Sequence, residues 1–303
     1  MALAGDAQSG ARLLREAAAL AYVENLEAPE LGTDDAHHLL AVLRLRPGEI
    51  VIASDGAGRY RACHVEIAGG PPAHGRPAGA SGQRRRPGGI ALVPYTEVIA
   101  VDRPVPSITV GFSLAKGDRT DWAVAKLAEL GVDRIVPLLC DRTVARSAGA
   151  ALLAKRTERF RRIAREASMQ ARRLWIPVVD EPLSFAEAPA ELAAFTEAPA
   201  GLAPAAGERD PAVPMPCGIA LAEPGGGALS LATPVVLVGP EGGWSPAELG
   251  VGLPTVRLGD TILRVETAAV VAGAVLSALR AAVVSPTGLT EPSSPPVTFH
   301  YGE

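Results

Sequence analysis

The chain has little of what several large enzyme classes need. Its three cysteines, Cys63, Cys140 and Cys217, lie far apart with no Cys-x-x-Cys pair, so neither a disulfide framework nor a zinc site is supported. The histidines are His37, His38, His64, His74 and His300, with none from Gly75 to Phe299. A Ser-His-Asp or Cys-His nucleophile in the larger part of the chain would therefore have to import its base. No His, Cys and Asp cluster has ligand spacing, so no metal is expected. Aromatic content is 4%, and Trp122, Trp175 and Trp244 read as core fillers rather than base-stacking platforms. A long apolar run is also missing: the most hydrophobic helical stretch, Thr267 to Leu279, ends at Arg280 before it could span a bilayer. The N-terminus lacks secretory-signal features. The expectation is a reduced, cytoplasmic protein with no membrane insertion. A formal net charge of −4 gives no global sign of a nucleic-acid partner, so any basic surface must be local.

What is present is a glycine-rich pair of loops. The apolar run Val235-Val236-Leu237-Val238 opens into Gly239-Pro240-Glu241-Gly242-Gly243-Trp244-Ser245-Pro246, followed by Leu258-Gly259-Asp260-Thr261-Ile262-Leu263-Arg264-Val265-Glu266-Thr267. A buried strand delivering such a loop predicts a ligand site at a sheet's carboxyl edge. Residues without a Cβ let a ligand approach the main chain. Glu241 would repel a pyrophosphate, and both the P-loop Lys-Ser/Thr and the Gly-x-Gly-x-x-Gly fingerprint are absent. A phosphate-free nucleoside carrying a cationic sulfonium suits these amides and the nearby carboxylate better.

Length and 48% hydrophobic content permit two domains with proper cores. Residues 1–80 read as a small β-rich domain. It holds a helical segment from His37 to Arg46 and a hairpin of Ile50–Ser54 and Arg59–Ile67 around Asp55-Gly56-Ala57-Gly58. A Gly/Pro/Ala-rich linker containing Arg84-Arg85-Arg86 runs to about residue 89. Residues 90–284 alternate strand and helix: strand Ile108–Leu114, a helix capped by Asp118 or Thr120 and ended by Gly131, and strand Arg134–Leu139. A helix at Ala150–Arg173 and strands at 176–179, 218–221, 235–238 and 255–258 follow. That order predicts an α/β domain with a mostly parallel sheet. Pro182–Pro216 reads as loop and 285–303 as a flexible tail.

Positive charge concentrates on the 150–173 helix, where Lys155, Arg156, Arg159, Arg161, Arg162, Arg165, Arg172 and Arg173 face only Glu158 and Glu166 in sequence. With Arg142, Arg146 and the expected exposed Arg44, Arg46, Arg59 and Arg61 of the first domain, it makes a candidate track for a phosphate backbone. A solvated helix face is the alternative.

Five ordered blocks together resemble the ribosomal RNA small subunit methyltransferase E family of the SPOUT methyltransferases. They are His37–Leu45, Lys116–Trp122 with Lys126–Val132, Glu166–Gln170, Gly239–Pro246 and Leu258–Ala268. The resemblance implies a small N-terminal PUA-like β-barrel and a trefoil-knotted SPOUT domain. It also implies a homodimer that uses S-adenosyl-L-methionine to methylate N3 of a uridine in 16S rRNA of the small ribosomal subunit. Leu237, Gly239, Pro240, Gly242, Gly243, Leu258, Gly259, Ile262 and Leu263 would then hold the cofactor. Glu266 and Glu241 are the candidate proton acceptors, with helix capping and loop bracing as their structural alternatives, and Arg264 is the candidate cation for charge on the uracil. Arg44, Arg46, Arg59, Arg142, Arg165 and Arg172 are the candidate RNA contacts. A non-catalytic RNA-binding module, a SPOUT enzyme with another target base and a dinucleotide enzyme are the rival readings.

Overall fold

The computed structural model describes residues 12–67, 89–115, 117–143, 149–193 and 218–284. Cys217, His74, His300, Lys116, Arg146, the linker arginines, most of the 182–216 stretch and the tail lie outside them.

The chain divides into two compact units, Met1–Arg103 with Ser168–Ile176, and Pro104–Ala167 with Pro177–Glu303. In the first, α1 (12–16) precedes β1 (Ala19–Tyr22), α2 (Thr33–His37) and a π-helical turn at His38–Val42. Strands β2 (Ile50–Ser54), β3 (Arg59–Ile67), β4 (Ile90–Pro94) and β5 (Ile99–Ala100) follow. The predicted hairpin is present, with β2 and β3 antiparallel. Its turn is fixed by Asp55 Oδ1, which accepts from Ala57 N and Arg59 N at 2.8 and 3.0 Å. Both β4 and β5 pair with β3, so residues 90–103 belong to the first unit rather than to the expected α/β domain. Ladder hydrogen bonds across the linker, invisible to composition, set that boundary.

The second unit runs β6 (Thr109–Ser113), α3 (Arg119–Leu130), β7 (Arg134–Leu139), α4 (Ala150–Gln170), β8 (Val178–Val179) and β9 (Leu183–Ser184). It continues with α5 (Ala188–Ala193), β10 (Ile219–Ala228), β11 (Val235–Val238), α6 (Pro246–Leu249), β12 (Thr255–Arg257) and α7 (Val265–Arg280). Its strands form one sheet in the order β12-β10-β11-β6-β7-β8, with β9 also on β7, and the described pairings are parallel. The expected α/β class is therefore observed. Gly131, at φ 92°, is the left-handed cap that ends α3, as its position after Leu130 predicts. Asp118 stands at the other end of α3 but makes no side-chain cap bond. The 182–216 stretch is not wholly loop: β9 and α5 fall inside it, and Ala188 and Leu192 are buried. A two-residue strand and a six-residue helix are too short to leave a periodic signal.

Continuous apolar strands build the core because helices cover a parallel sheet on both faces. Val110, Phe112, Ile135, Val236 and Val238 share a cluster with Leu127 of α3, Phe160 of α4 and Leu276 of α7. On α7 the small side chains matter: a Cβ on Gly273 would stand 2.7 Å from Leu127 and 2.9 Å from Val132. No helix among the described residues is long and apolar enough to cross a membrane.

Candidate cofactor and substrate site

Strands β12, β10 and β11 are neighbours in the sheet, so the segments leaving their carboxyl ends converge on one edge. There they wall a single open cleft with about 670 Å³ of unfilled space continuous with solvent. From the first predicted loop, Gly239, Pro240, Glu241 and Gly243 line it; from the second, Leu258, Gly259, Ile262 and Leu263 do. Two expected lining residues are placed otherwise. Leu237 is fully buried within the core, packed towards Gly111, while Gly242 turns towards Arg142, whose Cδ lies 3.3 Å from where its Cβ would stand.

The third wall is absent from the sequence reading. It comprises Ala222, Glu223 and Pro224, midway along β10. Ala222 and Gly227 both pair with Val256, so residues 223–226 bulge out of the ladder and carry Glu223 to the cleft. Gly226 permits the bulge, since a Cβ there would fall 2.5 Å from Val256 N. Burial pushes the Glu223 carboxyl above its ordinary range. The signal was legible: Glu223-Pro224-Gly225-Gly226-Gly227 follows an apolar strand much as the first loop follows β11.

The glycine loop is held both by its own turn and by residues outside the predicted motif. Gly243 N donates to Pro240 O at 2.8 Å. Trp244 is 4% exposed, its ring 5.0 Å from Phe185 and its Nε1 donating to Ala222 O at 3.2 Å. Ser245 caps α6 in a reciprocal box with Glu248, and Glu248 Oε1 accepts from Asp141 N at 2.8 Å. Gly239 must lack a side chain because its Cβ would approach the Trp244 ring to 2.9 Å. We expect Gly239→Ala to weaken S-adenosylmethionine binding at least about tenfold, since the anchored ring cannot give way and overpacking costs about 1–3 kcal/mol. Isothermal calorimetry reads this, and unchanged affinity would mean that the loop yields without cost.

Of the candidate catalytic residues, Glu241 and Glu266 are brought together and Arg264 stands apart from their ion-pair network. Glu266, in the first turn of α7, is 8% exposed. Its Oε2 is buried without a hydrogen-bond partner among the described residues. Its Oε1 lies 3.8 Å from Arg119 Nε. Arg119 Nη1 is also 3.9 Å from Glu241 Oε1. Arg119 lies within the Lys116–Trp122 block, where nothing in the local sequence marks its role. Glu241 is half-exposed, and the amide bracing once considered for it belongs instead to Glu248. Arg264 is the exposed N-cap of α7, with no side-chain cap bond.

The candidate RNA arginines separate into two groups. Arg44, Arg46 and Arg59 are exposed. Arg165 is half-buried and engaged. Arg142 Nη1 donates to Gly242 O at 2.6 Å and Trp244 O at 3.3 Å, so it braces the cleft loop. Arg172 Nη1 donates to Leu14 O and Arg15 O, both at 2.9 Å, which ties down α1. Arg61, expected to be exposed, is 8% exposed and donates to Thr96 O and Leu26 O. A planar five-donor fork satisfies carbonyls that converge from distant segments, which no local pattern reveals. On α4, Arg159 pairs with Asp121 and Arg161 with Glu158 and Glu181, so the helix is less electropositive than its own sequence suggests.

Nucleophilic thiol chemistry finds no support among the described residues. Burial pushes the Cys63 thiol up to about 11 and Cys140 up to about 12. No group of three His, Cys, Asp or Glu side chains there could hold a metal.

The cleft fits a cationic nucleoside. Nothing lies within 4 Å of where a Cβ on Gly243 or Gly259 would stand, so a ligand can reach the main chain. Glu223 and Glu241 on the walls suit a sulfonium and an ammonium and oppose a phosphate.

The chain matches the family model of an RNA methyltransferase domain over residues 102–277 and that of an RNA methyltransferase PUA domain over 31–76. It is 35% identical over 265 residues to "Ribosomal RNA small subunit methyltransferase E" of Mycobacterium bovis, covering 84% of this chain and 89% of the relative. Identity to the Synechocystis protein of the same description is 30% over 260 residues, covering 82% and 72%. Among solved structures, the "Ribosomal RNA small subunit methyltransferase E from Neisseria gonorrhoeae bound to S-adenosyl methionine" aligns with a TM-score of 0.60 at 25% identity, covering 85% of this chain and 95% of that one.

Proposed function

The chain belongs to the ribosomal RNA small subunit methyltransferase E family and is an S-adenosylmethionine-dependent rRNA methyltransferase; on that premise we propose that it methylates N3 of a uridine in 16S rRNA. Glu266 accepts the N3 proton in this reading. The supporting observation is its buried Oε2, which lacks a hydrogen-bond partner among the described residues and lies beside a cleft that fits the methyl donor.

S-adenosylmethionine supplies an electrophilic methyl group when bound. The residues of the chain hold, align and protect. Leu258, Gly259, Ile262 and Leu263 form the apolar wall for the adenosine, with the main chain of Gly239 and Gly243 opposite. Glu223 and Glu241 favour the cofactor's positive charge. Alignment of the two reactants is the contribution these walls are built to make. A uracil N3 proton does not leave readily at neutral pH, and a placed carboxylate lowers that barrier. Arg264 at the rim and the exposed Arg44, Arg46 and Arg59 meet phosphates of the RNA. The trefoil knot, the homodimer and a cytoplasmic setting belong to the same proposal.

The test is incubation with methyl-labelled S-adenosylmethionine and unmodified small ribosomal subunits or 16S rRNA, followed by mapping of the labelled nucleotide. Label at a uridine N3 is the expected result. Label on a ribose or another base would refute the assignment, and absence of saturable cofactor binding in calorimetry would leave only an RNA-binding module.

A further inference from the structure

Beside this cleft, Arg119 is a cation with unspent bonding capacity. It is the first residue of α3, with nearly half of its side chain exposed. It stands within 4 Å of Glu241 on the cleft wall and of Glu266 behind it. Both separations, 3.9 and 3.8 Å, are too long for hydrogen bonds. Among the described residues its five donors therefore have electrostatic neighbours and no acceptor at bonding distance. Compare Arg61, Arg142 and Arg172, each of which has donors bonded to main-chain carbonyls at 2.6–2.9 Å. Those side chains are spent on the fold, whereas Arg119 is held in place by charge alone.

Resting on the uridine reading above, we propose that Arg119 is the cation that meets the target base, donating to a carbonyl oxygen that flanks the methylated nitrogen. Two carboxylates fix its head without consuming its donors, and a planar fork matches the edge of an imide. A uracil losing its N3 proton spreads negative charge onto those oxygens. A donor aimed there is worth more as the charge develops, as in oxyanion sites. The remaining charged residues of α3 have other engagements: Asp121 pairs with Arg159 and Lys126 with Glu129. Strands β6 and β11, which also adjoin α7, carry no charged residue. Arg119 is thus the positive group delivered to Glu266 from the elements packed around it.

The experiment compares the wild-type protein with Arg119→Ala and Arg119→Lys on an rRNA fragment whose target uridine is replaced by 2-thiouridine or 4-thiouridine, since sulfur accepts hydrogen bonds poorly. Wild-type protein must first label the unsubstituted uridine; if it does not, the uridine reading fails rather than this one. Given that activity, one thio-substitution should weaken wild-type binding, read by fluorescence anisotropy with S-adenosylhomocysteine present, by about tenfold, as for a charge-assisted hydrogen bond. Arg119→Ala should bind both fragments alike and lose about 10²- to 10³-fold in kcat, with cofactor affinity within about threefold of wild type. Arg119→Lys should recover part of both. Thio-discrimination that persists in Arg119→Ala, or wild-type turnover in that variant, would overturn the proposal. So would a loss confined to the KM for RNA, which would mark a phosphate contact instead.

Discussion

Glu266→Gln is expected to lower kcat for rRNA methylation by about 10²- to 10⁴-fold, the range for removing a positioned proton acceptor. Cofactor affinity should stay within about threefold, because the amide keeps the size of the carboxyl and this side chain does not line the cleft. The expectation follows from burial without satisfaction. The residue is 8% exposed, its Oε2 has no hydrogen-bond partner among the described residues, and Arg119 at 3.8 Å is its nearby counter-charge. Desolvating a carboxylate oxygen and leaving it unbonded is costly, and a site retains such an arrangement when an arriving N–H completes it. Its place in the first turn of α7 offsets part of that cost through the helix dipole. Steady-state kinetics on wild type and variant, with calorimetry for the cofactor, gives the comparison. Turnover within about twofold of wild type would return Glu266 to a helix-terminus role.

Asp133→Ala should have the largest effect on stability. Asp133 is 2% exposed; its Oδ2 accepts from Ile108 N at 2.9 Å and from Arg280 Nη1. Arg280 in turn donates to Gly131 O at 2.7 Å and Pro106 O at 3.2 Å. One ion pair thereby fastens the end of α7 to the start of β6 and to the α3–β7 turn. Removing the carboxylate strands a guanidinium whose side chain is 11% exposed, which costs about 3–5 kcal/mol. For a protein of this size that corresponds to a fall in melting temperature of about 6–20 °C. Calorimetric melting checks it, and a loss below about 1 kcal/mol would place the pair with ordinary surface bridges.

Comparing particular elements shows where the sequence was readable. Strand β11 and the start of α3 match their predicted positions because each rests on a local cue, an apolar run before Gly-Pro and a break at Gly-Asp. The cleft loops were readable for the same reason, since close backbone approach demands glycine at Gly239 whatever surrounds it. Glu223-Pro224-Gly225-Gly226-Gly227 carries a local turn signal after an apolar strand, but that it reaches the cleft depends on the bulge in the pairing of β10 with β12. The arginines were missed for a related cause. Arg59, Arg61, Arg142 and Arg172 look alike as letters, yet Arg59 and Arg142 are exposed, Arg172 is half-buried and Arg61 is buried. Apart from Arg59, they are committed to carbonyls 35 to 158 positions away, as in Arg61 to Leu26 and Arg172 to Leu14.

By itself, then, the chain's order of residues determined the strand and helix alternation, the parallel sheet and the two glycine loops, since these follow from backbone preference and hydrophobic period over a few neighbours. Only the tertiary structure decided that β4 and β5 join the first unit, that residues 223–226 close the cleft, and that Arg119 stands between Glu241 and Glu266. Those outcomes depend on which remote donors and acceptors meet when the sheet closes, and hydrogen-bond satisfaction across such distances leaves no trace in local spacing.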